Sequence, residues 1–137
     1  MRVFLDANIL FSAAKSDGAV RALVRLLVER GHECWADAYV VAEAQRNLQA
    51  KGPDALGVLD AMLPHLRLAA AAPAAALRAD ELAWLPEKDR PVLAAAMRLR
   101  CNALVTGDRT HFGVGYGRSF GGVVVHSPRS LAEQLLP

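Results

Sequence analysis

RVFLDANIL, residues 2–10, sets a short apolar run, Val3, Phe4 and Leu5, directly against a carboxylate, Asp6. A run of that length ending abruptly in Asp-Ala-Asn reads as a buried strand whose carboxyl end opens onto a polar crevice. Parallel α/β sheets place their ligands at that edge. Asp6 also has a plainer reading, as the residue that turns the chain out of the strand and caps the next helix. What separates the two is whether other carboxylates reach the same edge.

Length and composition bound the answer. The 137 residues amount to about one domain, 1–137, large enough to bury most of a hydrophobic core. With 53% hydrophobic and 22% charged residues, the chain has an ordinary globular composition. A net charge of +2 provides no strong field toward nucleic acid, although 13 of the 16 basic residues are arginine, the side chain suited to bidentate phosphate contacts. The opening does not read as a secretory leader and no apolar run is long enough to span a bilayer, so a cytoplasmic protein without a membrane partner is expected. Cys34 and Cys101 lie 67 positions apart with no metal-type spacing and read as reduced core thiols.

From RVFLDANIL onward, strand-like and helix-like segments alternate. Residues 18–30 carry apolar positions at helical spacing, with Asp17 as the expected cap and Gly31 as the stop. ECWA (33–36) reads as a second strand, Asp37 as the cap of a second helix, and Pro53 as the start of a third. HLRLAA (65–70) reads as a third strand, and the alanine-rich stretch after Pro73 is expected to be helical. A helix from about Arg90 to Cys101 is followed by a fourth strand, ALVTGD (103–108). The segment 113–122, with five glycines, is expected to be a loop, GVVVHSP a fifth strand and PRSLAEQLL a closing helix. Strands separated by helices imply parallel pairing and right-handed crossovers. The expected fold is therefore a three-layer α/β/α sandwich with a central, mostly parallel five-stranded sheet.

Strands one and four both end on aspartate, so Asp6 and Asp108 face one another if those strands are neighbours. Asp89 joins them by length: the helix from Arg90 to Arg100 rises about 16 Å, and residues 103–107 return about the same distance as strand. Glu43 flanks the apolar stripe of its helix, so it is a further candidate for the same cleft. Each acid also has a structural reading, Asp89 as an N-cap, Glu43 as a partner of Arg46 or Asn47, and Asp108 as a turn residue. Carboxylates brought together without a cysteine or histidine partner repel one another and have raised pKa values unless a cation lies between them. An all-oxygen acidic site suits Mg²⁺ or Mn²⁺ better than zinc.

LDANILFSAA, the helical Glu43, KDRPVLAAAMRLRCNALVTGDRTHFG and GVVVHSPRSLAEQL together resemble the PIN domain, the nuclease domain of VapC-type toxins. The resemblance spans nearly the whole chain and is most specific from Asp89 to Asp108. It implies that Asp6, Glu43, Asp89 and Asp108 form a catalytic metal site, with Asn8 and Thr106 in support, in an endoribonuclease that uses Mg²⁺ or Mn²⁺. It also implies a cognate antitoxin and a homodimer. The glycine-rich segment is longer than the family pattern leads one to expect.

An acidic centre repels RNA, so a basic rim is needed. Lys15, Arg46, Lys88, Arg90, Arg109 and Arg118 are the candidates by position, with Tyr116 and Phe120 available to stack on bases; a solvated arginine face with aromatics packed on the core is the alternative. His111 is close enough to Asp108 to touch substrate, although Phe112 beside it suggests a turn that anchors the loop. GVGYG lacks the following helix and the Lys-Ser/Thr of a phosphate loop. A haloacid-dehalogenase-type phosphatase is disfavoured because Asn8 stands where a second Asp is wanted. Two other roles remain open, an RNA- or protein-binding module without turnover and a housekeeping RNA-processing nuclease.

Overall fold

The computed structural model describes residues 1–136. Strand β1 (Arg2–Leu5) and helix α1 (Ala7–Lys15) are separated only by Asp6. Helix α2 (Ala19–Glu29) leads to β2 (Glu33–Asp37), α3 (Ala38–Lys51), α4 (Leu56–Met62) and β3 (Arg67–Ala69). Helix α5 (Arg90–Arg98) leads to β4 (Ala103–Val105), the short α6 (Arg109–Phe112), β5 (Ser119–Phe120), β6 (Val123–His126) and α7 (Pro128–Leu135). The sheet runs β3-β2-β1-β4-β6-β5, parallel throughout except for the antiparallel β5.

β1 lies at the centre because it can be covered on both faces. Val3, Phe4 and Leu5 are fully buried, and Phe4 is in register with Trp35 of β2 on one side and Leu104 of β4 on the other. Winding starts at β1, moves outward to β3, then crosses back to β4 and on to β6. Its direction therefore reverses between β1 and β4. Right-handed crossovers send the connections on either side of that point to opposite faces, which opens a crevice over the carboxyl ends of these two strands. On the face of the outward winding, α1 buries Ile9, Leu10, Ala13 and Ala14 and packs against α3 and α4.

The structure departs from the sequence expectations in five places. β4 ends at Val105, so Asp108 stands three residues past the strand as the N-cap of α6. The sheet has six strands because part of the glycine-rich segment forms β5, which makes a hairpin with β6 through Gly121 and Gly122, both at positive φ. That segment also sits against the core: a Cβ at Gly115 would lie 2.6 Å from Trp84, so only glycine allows the approach. The alanine-rich stretch is not an α-helix but two short 3₁₀ turns, Ala74–Arg78 and Asp80–Leu82. Its alanines give helical propensity without a continuous apolar stripe, and most helical stability in proteins comes from burying such a stripe. The N-cap of α2 is Gly18 rather than Asp17, whose carboxylate instead lies 3.9 Å from Arg21. Helix α5 stops at Arg98, and Arg100 at φ 55° turns the chain toward β4.

Leu104 is fully buried in a strand paired on both sides. Leu104→Ala is expected to cost about 2–5 kcal/mol, read as a lower denaturant midpoint at unchanged slope.

Candidate metal centre

The crevice is organised by one hydroxyl. Thr106 follows β4, is fully buried, and donates from Oγ1 to Asp6 Oδ2 at 2.8 Å. The same oxygen accepts the Asp108 backbone N–H at 3.2 Å and Asn8 Nδ2 at 3.2 Å, which uses all of its hydrogen-bonding capacity. Asn8 Nδ2 also donates to Asp6 Oδ2 at 3.1 Å, while its Oδ1 accepts the Gly107 N–H at 2.7 Å. The ends of β1 and β4 are thereby tied through side chains where the sheet ladder stops. Asp6 is both the anchor of this network and the N-cap of α1, accepting from Ala7 N at 2.7 Å.

Both sequence readings of Asp6 therefore hold together. It caps a helix, and it is a carboxylate only 5% exposed at the floor of the crevice. Burial pushes its pKa up to about 6, against the opposing effect of the Thr106 and Ala7 hydrogen bonds, and the negative charges of Glu43 and Asp89 push in the same direction as burial. Glu43, on α3, is half-buried and close enough for its charge to be felt at Asp6.

Asp89 ends a 3₁₀ turn, Glu87–Asp89, at the start of α5, and its carboxylate makes no cap hydrogen bond. Its pKa is raised, first by desolvation and further by Asp108, with His111 and Lys88 opposing. Tyr39 on α3 fixes the approach to it, donating its hydroxyl to the Lys88 carbonyl at 2.7 Å. Asp108 caps α6, accepting His111 N at 3.2 Å. Tyr116 donates to the Thr106 carbonyl at 2.8 Å and steadies the segment before Asp108.

His111 is the residue whose part the sequence reading missed. Its Nδ1 lies 2.8 Å from Asp108 Oδ2 and 3.0 Å from Asp89 Oδ2, so a histidine does partner the acids. A local signal existed, since Asp108 and His111 stand three apart across a helix start, where side chains meet. The Asp89 contact spans 22 positions and had no sequence signature.

The basic candidates separate. Arg46 is exposed three residues beyond Glu43, and its charge opposes the rise in the Tyr39 pKa that burial causes, while Arg109 is exposed beside Asp108. Lys15 is at the far end of α1, about 13 Å of helix from Asp6, with its ammonium over the Phe11 ring. Arg90 is tied to the Leu85 carbonyl at 2.9 Å, and Arg118 lies over the Phe120 ring. Phe120 stacks on Trp84 at 4.7 Å and Tyr116 is hydrogen-bonded inward, so both aromatics are engaged by the fold.

The donor set fits a hard divalent cation. Asp89, Asp108 and His111 bring ligand atoms within 4.8 Å of one another, Asp6 and Glu43 stand outside that group with Glu43 and Asp89 acting on Asp6 through their charge, and among the described residues none of the four carboxylates has a lysine or arginine within ion-pair distance. Asp89 Oδ2 is buried without a hydrogen-bond donor.

The raised pKa of Asp6 has a sign that can be measured. The native state holds this proton more tightly than the unfolded chain, so metal-free stability declines as pH rises from about 4 through about 6. The penalty is about 3 kcal/mol by pH 7. In chelator, Asp6→Asn is expected to gain stability relative to wild type across that window, by thermal melts between pH 4 and 7. Adding Mn²⁺ at pH 7 is expected to raise the wild-type melting temperature and to leave that of the variant nearly unchanged.

A PIN-domain family model matches residues 2–110. No curated protein matches the chain. Among solved structures, a chain of VapBC2 from Rickettsia felis, bound to a DNA fragment from its promoter, superposes with a TM-score of 0.63 at 16% identity, covering 93% of this chain and 98% of that one. A chain of FitAcB from Neisseria gonorrhoeae has a TM-score of 0.64 at 20% identity, covering 93% and 98%. VapC20 from Mycobacterium tuberculosis, a sarcin-ricin loop cleaving toxin, has a TM-score of 0.60 at 14% identity, covering 86% and 98%. At these identities the likeness concerns the fold. The family match takes in Asp6, Glu43, Asp89 and Asp108 and stops one residue short of His111, and by that match the chain belongs to the PIN domain family.

Proposed function

We propose that this protein is a divalent-metal-dependent endoribonuclease and the toxin of a toxin-antitoxin pair. The observation that carries the reading is Asp6: a buried carboxylate, pinned by Thr106, Asn8 and Ala7, in the repulsive field of Glu43 and Asp89. Such an arrangement is costly for a fold and useful to a cation. Family membership and the similarity to the VapBC2 and FitAcB structures support the nuclease and antitoxin parts.

Asp6, Glu43, Asp89 and Asp108 hold the ion, Mg²⁺ or Mn²⁺. When bound, that ion supplies Lewis acidity toward a phosphodiester and acidifies water near it. The chain does the rest by position. Thr106 and Asn8 aim the Asp6 oxygen, and Asp108 is aimed by its cap to α6. Arg46 and Arg109, exposed beside two of the acids, receive the RNA backbone. Lys15, Arg90 and Arg118 are left out of that role by their placement. The protein acts as a cytoplasmic homodimer restrained by its antitoxin.

Purified protein is expected to cleave RNA with Mn²⁺ or Mg²⁺ and to stop in chelator. Asp6→Asn is expected to lose about 100-fold or more while keeping its circular dichroism spectrum. Thr106→Val, which removes only the aiming hydroxyl, should lose about 10–100-fold. RNA binding without cleavage in either ion would replace this reading with that of a binding module. In a separate titration, Arg46→Ala and Arg109→Ala should each reduce the salt slope of RNA binding by about 0.7 to 1, whereas Lys15→Ala should leave it unchanged.

A further inference from the structure

We propose that His111 is itself a ligand of the cation, through Nδ1, and that this nitrogen makes the centre prefer Mn²⁺ to Mg²⁺. The inference rests on the acidic crevice being a cation site and adds a donor outside its four carboxylates.

The geometry is that of three ligands around one ion. Nδ1 stands 2.8 Å from Asp108 Oδ2 and 3.0 Å from Asp89 Oδ2, and ligand atoms of Asp89, Asp108 and His111 all lie within 4.8 Å of one another. Adjacent ligands of an octahedral ion with bonds of about 2.1 Å stand about 3 Å apart, which the two distances from Nδ1 already match.

Hydrogen bonding alone leaves the cluster incomplete. An imidazole Nδ1 carries at most one proton and faces two carboxylate oxygens here. That proton serves Asp108 at the shorter distance, and Asp89 Oδ2 is left buried with no donor. A cation in contact with all three atoms satisfies them together.

His111 also has little room to withdraw. Its backbone N–H is held by Asp108 Oδ1 at 3.2 Å, and the next residue, Phe112, is fully buried with its ring edge-on to Trp84. Mg²⁺ keeps oxygen and water ligands, whereas imidazole is a ligand of transition metals, and this orders the two ions.

The test is titration calorimetry of the full chain with Mn²⁺ and with Mg²⁺, in wild type, His111→Ala and His111→Gln, together with electron-nuclear double resonance on the Mn²⁺-loaded wild type. The expected results are a nitrogen hyperfine coupling in wild type and a loss of about 10–100-fold in Mn²⁺ affinity in both variants, with a smaller loss for Mg²⁺. The spectroscopic result needs no variant to fold. Equal affinities in wild type and variants without a nitrogen coupling overturn the ligand role and leave the acidic site standing. Tighter binding in the variants shows His111 to be a competitor for the ion and also overturns it. Absence of binding by either ion in wild type overturns the cation site itself.

Discussion

The hydrogen bond from Thr106 to Asp6 is the contact on which the crevice depends. Two central strands end side by side, and beyond their last ladder bonds nothing in a parallel sheet holds the departing chains together. The Thr106 hydroxyl does this from within the core, and its remaining capacity reaches Asn8 and the Asp108 backbone. Both strand ends, the start of α1 and the approach to α6 are positioned through one fully buried oxygen. Its partner, Asp6, is ionised only against the cost of burial, so a stabilising contact and an unfavourable charge occupy the same place.

Asp37 shows what the topology adds. It also ends a strand, caps the helix that follows through Val40 N, is 1% exposed and has a pKa raised by burial. By local sequence it is the equal of Asp6. Yet β2 lies on the side of β1 where consecutive right-handed crossovers run over the same face, away from the switch point. Carboxylates gather at the reversal of winding, between β1 and β4, because there the departing segments go to opposite faces. A strand-terminal Asp is therefore a helix cap by default and a candidate ligand only at the switch point.

The acids come from four different parts of the chain. Asp6 and Glu43 stand on α1 and α3, which pack against each other, whereas Asp89 and Asp108 lie on short turns. Tyr39 and Tyr116 compensate by bonding to backbone carbonyls of the two turn segments, and His111 spans the turns directly. Asp89 and Asp108 are thus held by side chains that neither periodicity nor charge spacing brings into view.

Read alone, the sequence determined what local rules control. Apolar runs between helical segments implied a parallel α/β sheet, Asp6 was placed at the end of a buried strand, and helix rise against strand return brought Asp89 back to Asp108. Asp37 was recognised as a cap because capping involves residues only three apart. Tertiary structure decided the rest. It set β1 between β2 and β4, placed Glu43 near enough for its charge to reach Asp6, left the alanine stretch as 3₁₀ turns for want of a stripe to bury, and drew a sixth strand from the glycine-rich segment as partner to β6. It also set His111 between two carboxylates. The strand order, the placing of Glu43 and the contact between His111 and Asp89 depend on pairings between residues tens of positions apart, whose energies come from burial and complementarity across the assembled core.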